Sequence, residues 1–159
     1  FYDSEILTGF SIDDIVPSTP SLLSASIQDE SIILSWSEHI FNDFSYFTLY
    51  RDNIELINST SPNFEDISGI SEHSYSVIAT DVNGNISSNS EILYFYIGNT
   101  NLDSNIDVLD IIQLVDIVIG IAGNNYVPNQ TDLFINDIFS DGQLNVIDIV
   151  GLVNMILEQ

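Results

Sequence analysis

The sequence feature that most constrains the fold is an internal repeat near the C-terminus. Residues 105–119 read NIDVLDIIQLVDIVI and residues 143–157 read QLNVIDIVGLVNMIL, an offset of 38 positions. The positions that are identical in both copies are Val108/Val146, Asp110/Asp148, Ile111/Ile149, Leu114/Leu152 and Val115/Val153. Two half-units that cannot each bury a core can do so against each other, so the repeat predicts a paired unit.

Each copy has the apolar spacing of an amphipathic helix. The expected buried stripes are Val108, Ile111, Ile112, Val115 and Ile119 in the first copy, and Val146, Ile149, Val150, Val153 and Leu157 in the second. We therefore expect two helices that pack along these stripes.

Before each helix, oxygen-bearing side chains fall at alternate positions, in loop one (residues 99–110) and loop two (residues 137–148). The candidate ligands of loop one are Asn99, Asn101, Asp103, the carbonyl of Asn105, Asp107 and Asp110. Those of loop two are Asp137, Asp141, the carbonyl of Gln143, Asn145 and Asp148. A twelve-residue loop wraps oxygens around calcium in this way. The alternative is a pair of ordinary polar turns, with Asp110 and Asp148 capping the helix starts.

Residues 98–159 resemble a dockerin domain, in which two such loops each open a helix and aspartate fills the last loop position. The resemblance implies two Ca²⁺ ions. The chain departs from the pattern at Asn99, which replaces an aspartate, at Ser104, where loop two has Gly142, and at Phe139, which replaces a polar ligand. We expect the second site to bind calcium more weakly because of Phe139, unless that side chain makes a hydrophobic contact that orders the loop in advance.

The resemblance also implies a protein partner, since dockerins dock onto cohesin modules through the tenth and eleventh loop positions. Those positions here are Val108, Leu109, Val146 and Ile147. Apolar pairs favour an apolar partner surface, on a cohesin-like module or on a neighbouring copy of this chain. The alternative is that these four residues pack inside the helix pair.

Residues 21–97 have the alternating pattern of about seven short strands. The residues expected to face inward are Ile32, Leu34 and Trp36; Tyr46, Thr48 and Tyr50; Tyr75, Val77 and Ala79; Ile92, Tyr94 and Tyr96. Turn residues, such as Asp52-Asn53 and Asn83-Gly84, separate the strands. This count and spacing predict an all-β sandwich.

With Pro17, Trp36 and the segment 75–84 in these places, residues 17–97 resemble a fibronectin type III domain. The resemblance implies an immunoglobulin-like sandwich and leaves function open, because such domains serve many roles. The expected fold is therefore multi-domain: a lead segment (residues 1–16), an all-β sandwich (17–97) and a small all-α calcium-binding unit (98–159).

The lead segment has strand periodicity, with Ile6, Thr8, Phe10 and Ile12 on one face. It is either the last strand of an upstream domain or a strand that adds to a sheet edge of the next molecule. In the second case Phe10 and Ile12 contact the partner, and head-to-tail contacts that do not close would produce a filament.

The charge balance narrows the range of partners. The chain has 24 Asp and Glu residues and one basic residue, Arg51, for a net charge of −23. Nucleic acid and anionic membranes would be repelled, and two bound Ca²⁺ ions would reduce the charge to −19. The chain begins with Phe1 rather than Met, and we expect a processed or longer protein in calcium-rich extracellular surroundings, at the cell surface.

Nothing in the sequence indicates catalysis. His39 and His73 are isolated, and the carboxylates cluster in the loops rather than as an acid–base pair. We expect a non-catalytic assembly module. The alternative is an ancillary part of a secreted polysaccharide-degrading enzyme, in which Tyr46, Tyr50, Tyr94 and Tyr96 bind sugar; polysaccharide is the less favoured partner.

Overall fold

A computed structural model describes residues 14–21, 23–37, 42–68 and 70–158. Most of the lead segment, including Phe10 and Ile12, lies outside the described residues, as does His39. The strands are β1 (Ser24–Gln28), β2 (Ser31–Ser35), β3 (Phe44–Arg51), β4 (Ile54–Ser59), β5 (Asn63–Asp66), β6 (His73–Asp81) and β7 (Leu93–Phe95). The helices are α1 (Val108–Ala122), α2 (Gln130–Asn136) and α3 (Val146–Leu157).

The strands form two antiparallel sheets. One has the order β1-β2-β5 and the other the order β4-β3-β6-β7. Two-residue turns join β1 to β2 and β3 to β4, and all four turn residues (Asp29, Glu30, Asp52 and Asn53) have positive φ, as tight hairpins require. The Asp52-Asn53 turn was predicted from the sequence, and the sandwich is confirmed for this part of the chain.

The core lies between the two sheets. The predicted inward residues of β2 and β6 are confirmed, since Ile32, Leu34, Tyr75, Val77 and Ala79 are all fully buried. Trp36, just after β2, is buried with them.

The predicted inward faces of β3 and β7 are wrong. Phe47 and Leu49 enter the core from β3, and Leu93 and Phe95 enter it from β7. A shift of one position exchanges the two faces of a strand. Both faces of these strands carry large residues, and the half-buried tyrosines take the outer face.

Helices α1 and α3 pack on each other around the fully buried Leu114 and Leu152. The predicted stripes are partly wrong, because three residues of each are more than half exposed: Val108, Ile112 and Ile119 in α1, and Val146, Val150 and Leu157 in α3. A pair of helices buries only the narrow strip where they touch, and that strip is centred on the two leucines.

Helix α2 is an element that the repeat does not predict. Its side chains pack against the sandwich, and its last residue, Asn136, precedes loop two. The Asn129 side chain caps the helix by accepting from the N–H of Asp132, and the Asp132 carboxylate accepts from the N–H of Asn129. This capping box, followed by the apolar residues 133–135, was the sequence signal for α2.

None of the helices in the described ranges has the length and apolar character needed to cross a bilayer.

An ion pair closes one end of the sandwich. Arg51 Nη1 donates to Asp66 Oδ2 at 2.8 Å, and the Tyr75 hydroxyl donates to the same oxygen at 3.0 Å. Burial opposes ionisation of Asp66, but hydrogen bonds from Ser68, Arg51 and Tyr75 outweigh it and hold the pKa of Asp66 below its usual value. The carboxylate therefore stabilises the fold above its unfolded-state pKa, and this contribution is lost as the pH falls through the lower folded-state pKa.

We expect Asp66→Asn to lower the free energy of unfolding by about 2–3 kcal/mol at neutral pH, because hydrogen bonds to a buried charged group are lost. Urea unfolding followed by Trp36 fluorescence measures this, and the stability of the variant should fall less than that of the parent below about pH 4. Glu65→Gln, on the exposed side of the same strand, is the matched control. Equal stability of both variants would contradict this role for Asp66.

Candidate functional site

The two copies of the repeat start their helices in the same way. Asp107 caps α1 and Asn145 caps α3, and each side chain accepts a hydrogen bond from the backbone N–H two residues later, at 2.8 Å. Asp110 and Asp148 close the capping boxes by accepting from the N–H groups of Asp107 and Asn145. Side-chain capping at both helix starts is therefore confirmed. The caps are Asp107 and Asn145, and Asp110 and Asp148 act at the third helical position.

In loop one the structure brings all six predicted ligand residues into one hydrogen-bonded network. Asp110 Oδ1 accepts from the N–H of Asn101 at 3.1 Å, and Asn101 Nδ2 donates to Asp103 Oδ2 at 2.8 Å. Asp103 Oδ1 accepts from the N–H of Asn105 at 2.8 Å. These side-chain oxygens of loop one thus accept hydrogen bonds from N–H groups of the same loop.

Asn99 holds the start of loop one and is 1% exposed. Its Nδ2 donates to two carbonyl oxygens, that of Tyr94 at 2.9 Å and that of Asp103 at 2.8 Å. Its Oδ1 is buried and has no hydrogen-bond partner among the described residues. A buried oxygen without a partner is costly, and a bound cation is one of the few groups that would satisfy it.

Loop two is arranged around Asp137, which occupies the position of Asn99. Its two carboxylate oxygens accept from the N–H groups of Asp141 at 3.0 Å and Gly142 at 2.6 Å. Asp141 accepts from Gln143, and Asp148 accepts from Ile138. The predicted ligand residues of loop two therefore form two hydrogen-bonded sets, Asp137 with Asp141 and Gln143, and Asn145 with Asp148.

The loops differ where the sequence departs from the template. Gly142 has φ +80°, whereas Ser104, at the same repeat position, is not among the described residues with positive φ. Loop one therefore makes its turn without a left-handed residue there. Phe139 is 57% exposed, and its ring lies against Gly151 of α3. Its side chain has no oxygen and supplies no ligand to loop two.

Asp110 and Asp148 are buried to 0% and 1% exposure, and each accepts hydrogen bonds from backbone N–H groups alone. The one basic residue of the chain, Arg51, is paired with Asp66 in the sandwich. Across the described ranges, no three His, Cys, Asp or Glu side chains converge to hold a metal ion. A cation in either loop would therefore need Asn and carbonyl oxygens besides the carboxylates, and a shift of the ligand side chains.

The apolar pairs beside the loops lie on the surface. Val108, Leu109, Val146 and Ile147 are between 52% and 63% exposed, which excludes the alternative that they pack inside the helix pair. Ile112 and Val150, also related by the repeat, extend the same two surfaces. We call these patch one (Val108, Leu109 and Ile112) and patch two (Val146, Ile147 and Val150).

The other candidate residues lie in the sandwich. Tyr46, Tyr50 and Tyr94 share the outer face of the four-stranded sheet, because the strand register pairs them with Thr80, Ser76 and Ser74 of β6. All three are half-buried, and Tyr94 also lines a cleft of about 1010 Å³ between β7, loop one and the segment before β1. His73 bonds to Asp52 and Ser71 at a turn, so its contacts are structural.

Neither the family models nor the curated proteins contain a match to this chain. An Fn3-like protein from Clostridium thermocellum is 21% identical, with a TM-score of 0.42 over 49% of this chain and 90% of its own. The spore cortex lytic enzyme SleM of Clostridium perfringens is 19% identical, with a TM-score of 0.44 over 49% of this chain and 28% of its own. Domains A168–A170 from titin are 18% identical, with a TM-score of 0.40 over 50% of this chain and 32% of theirs.

Fibronectin III-like domains are thus among the structural neighbours of about half of the chain, which spans only 28% of the lytic enzyme. At these identities and TM-scores, the assignment of the sandwich rests on its own strand order and core. The comparisons give no support to the dockerin resemblance of residues 98–159. Because an enzyme and non-enzymatic domains both occur among the neighbours, the likeness does not decide whether the chain is catalytic.

The repeat allows a matched test of the turn in loop two. Gly142→Ala should destabilise the helical unit by about 1–2 kcal/mol, because a side chain is disfavoured at positive φ even though the space around Gly142 is open. Ser104→Ala, at the same position of loop one, should change stability by less than about 0.5 kcal/mol. Thermal unfolding followed by helical circular dichroism measures both, and equal effects would contradict the difference between the loops.

Proposed function

We propose that this chain is a non-catalytic, extracellular attachment module, in which Ca²⁺ bound by two loops holds a pair of helices that contacts a protein partner. The observation that carries the proposal is the buried, unpartnered Asn99 Oδ1 in the same loop as the buried Asp110 carboxylate. Hydrogen-bonding capping boxes account for the helix starts, but they leave Asn99 Oδ1 unsatisfied and both buried carboxylates without a cation.

The donor set suits calcium. Every candidate ligand is an oxygen of a carboxylate, a side-chain amide or a main-chain carbonyl, and calcium prefers six to eight such oxygens. Loop one would supply Asn99, Asn101, Asp103, Asn105, Asp107 and Asp110. Loop two would supply Asp137, Asp141, Gln143, Asn145 and Asp148. Calcium would supply positive charge to loops whose carboxylates accept only hydrogen bonds within the described residues.

The proposed contact surfaces are patches one and two. Apolar residues exposed together, and repeated at equivalent positions, are typical of a protein interaction surface. Calcium would fix the loop ends from which each patch begins, because Val108 follows Asp107 and Val146 follows Asn145. The partner would be a cohesin-like module or another copy of this chain.

Assembly with other copies follows from the number of contact surfaces. A chain with two equivalent patches, or with a patch and a separate lead strand, can join neighbours on two sides. The net charge of −23 opposes such contacts, and bound calcium or salt would reduce that repulsion. The lead-strand contact through Phe10 and Ile12 remains a prediction.

Calorimetric titration of the chain with CaCl₂ tests the metal sites. We expect two sites, with the tighter one in loop one because loop two lacks a ligand at Phe139. Asp110→Asn should weaken the tighter site by about tenfold or more, and Asp148→Asn should do the same for the weaker site, because each loses a charged ligand. Asp116→Asn, exposed on α1, is the control. No uptake of calcium by the parent chain would contradict the proposal.

The patches are tested by assembly in calcium and in chelator. We expect larger particles in calcium, measured by sedimentation velocity and electron microscopy, that dissociate on chelation. Leu109→Asp combined with Ile147→Asp should abolish them, because each charge falls within a patch. Ile54→Asp, exposed on the sandwich, is the control.

If the chain stays monomeric in calcium and in chelator, self-assembly is contradicted, and attachment to a different protein is the remaining form of the proposal. If the monomer is retained on insoluble polysaccharide, and Tyr50→Ala abolishes that retention, the ancillary, sugar-binding alternative is favoured instead. The observation behind that alternative is the outer sheet face shared by Tyr46, Tyr50 and Tyr94.

A further inference from the structure

Helix α2 belongs to the sandwich core as much as to the helical unit. Ile135 is 4% exposed and lies within the cluster of buried sandwich residues. Phe134 stacks on Phe95 of β7, with ring centroids 5.1 Å apart and ring planes within 10° of parallel. At the start of α2, Thr131 Oγ1 accepts a hydrogen bond from the N–H of Ile27, on the outer edge of β1, at 2.7 Å.

Loop one covers the outer edge of β7. On its other side β7 pairs with β6. On the outer side, the N–H of Tyr94 donates to the carbonyl of Leu102 at 3.0 Å, and the carbonyl of Tyr94 accepts from Asn99 Nδ2 at 2.9 Å. An uncovered strand edge exposes unpaired backbone groups, and here residues of the candidate calcium loop satisfy both groups of Tyr94.

Loop one and the residue before it, Gly98, also contact α2. The N–H of Gly98 donates to the carbonyl of Ile135 at 2.6 Å, and Thr100 Oγ1 donates to Asn136 Oδ1 at 2.7 Å. Loop two begins directly after Asn136, at Asp137. Gly98 has φ +84°, and a Cβ there would lie 3.0 Å from Leu152 of α3. There is therefore little room for a side chain at the point where Gly98 meets α2 and α3. Loop one, α2 and the edge strands β1 and β7 therefore form one continuous set of contacts.

We infer that binding of a divalent cation in loop one stabilises the β-sandwich as well as the helical unit, because the sandwich and residues 98–158 unfold as one cooperative unit through α2 and the edge of β7. The inference rests on the proposed function, since it requires calcium to bind in loop one. Asn99 is the positioning residue: its Oδ1 would face the cation while its Nδ2 holds the last strand of the sandwich.

The chain contains its own reporter for this coupling. Trp36 is the only tryptophan, it is buried in the sandwich core, and its ring meets that of Phe47 edge-on at 5.5 Å. Trp36 fluorescence therefore follows the sandwich alone, whereas circular dichroism at helical wavelengths follows the helices. No residue of loop one or loop two has to be altered to make the measurement.

The test is urea unfolding of the whole chain in calcium and in chelator, with both signals recorded and calcium uptake measured separately by calorimetry. We expect the Trp36 midpoint to rise in calcium together with the helical midpoint. At a free calcium concentration a hundred times the Kd, the folding equilibrium constant should increase about 100-fold. In Phe134→Ala and in the milder Thr131→Val, calcium uptake should persist while the shift of the Trp36 midpoint shrinks. Phe139→Ala, an exposed aromatic in loop two, should keep the full shift.

The outcomes separate this inference from the proposed function. Calcium uptake with an unmoved Trp36 midpoint in the parent chain would overturn the inference and leave the calcium module intact. An undiminished shift in both Phe134→Ala and Thr131→Val would overturn the assignment of the coupling to α2. No calcium uptake at all would remove the proposed function and the inference together.

Discussion

The helical unit depends on two buried carboxylates in a chain that has almost no positive charge with which to neutralise them. Asp110 and Asp148 occupy equivalent positions of the repeat and each is held by backbone N–H groups at a helix start. Burial of a carboxylate without a cation is expensive even when it is hydrogen-bonded. The only basic side chain, Arg51, is engaged with Asp66 in the sandwich. This shortage of positive charge is the reason for proposing that the loops take up a cation from solution.

Loop one and α2 join the sandwich to the rest of the described chain. No flexible linker lies between β7 and loop one; Gly98 and Asn99 contact α2, β7 and loop one within a few residues. In the proposed attachment role, these contacts would connect the helical patches to the sandwich without a flexible linker. The patches themselves remain exposed, on helices whose inner sides meet through Leu114 and Leu152.

The sequence was sufficient to predict the features that depend on local chemistry. The loops, the two helices after them and the Asp52-Asn53 turn follow from residue types at fixed spacing, and the inner faces of β2 and β6 follow from clear alternation of apolar and polar residues. The faces of β3 and β7 could not be assigned in this way, because aromatic residues occupy both sides of these strands and only packing separates Phe47 and Phe95 from their tyrosine neighbours. The contacts between α2 and the sandwich could not be predicted from the sequence either, because they join residues as far apart along the chain as Ile27 and Thr131. Whether the apolar pairs are buried or exposed depends on how two helices meet, and that too is not a local property.

The most direct test of the central claim is a crystal structure of the chain grown with calcium, with anomalous scattering used to locate the ion. The account predicts an anomalous peak in loop one at about 2.3–2.6 Å from Asn99 Oδ1 and from a carboxylate oxygen of Asp110. Loops that keep their present hydrogen bonds, with Asn99 Oδ1 still unpartnered and no peak beside it at saturating calcium, would contradict it.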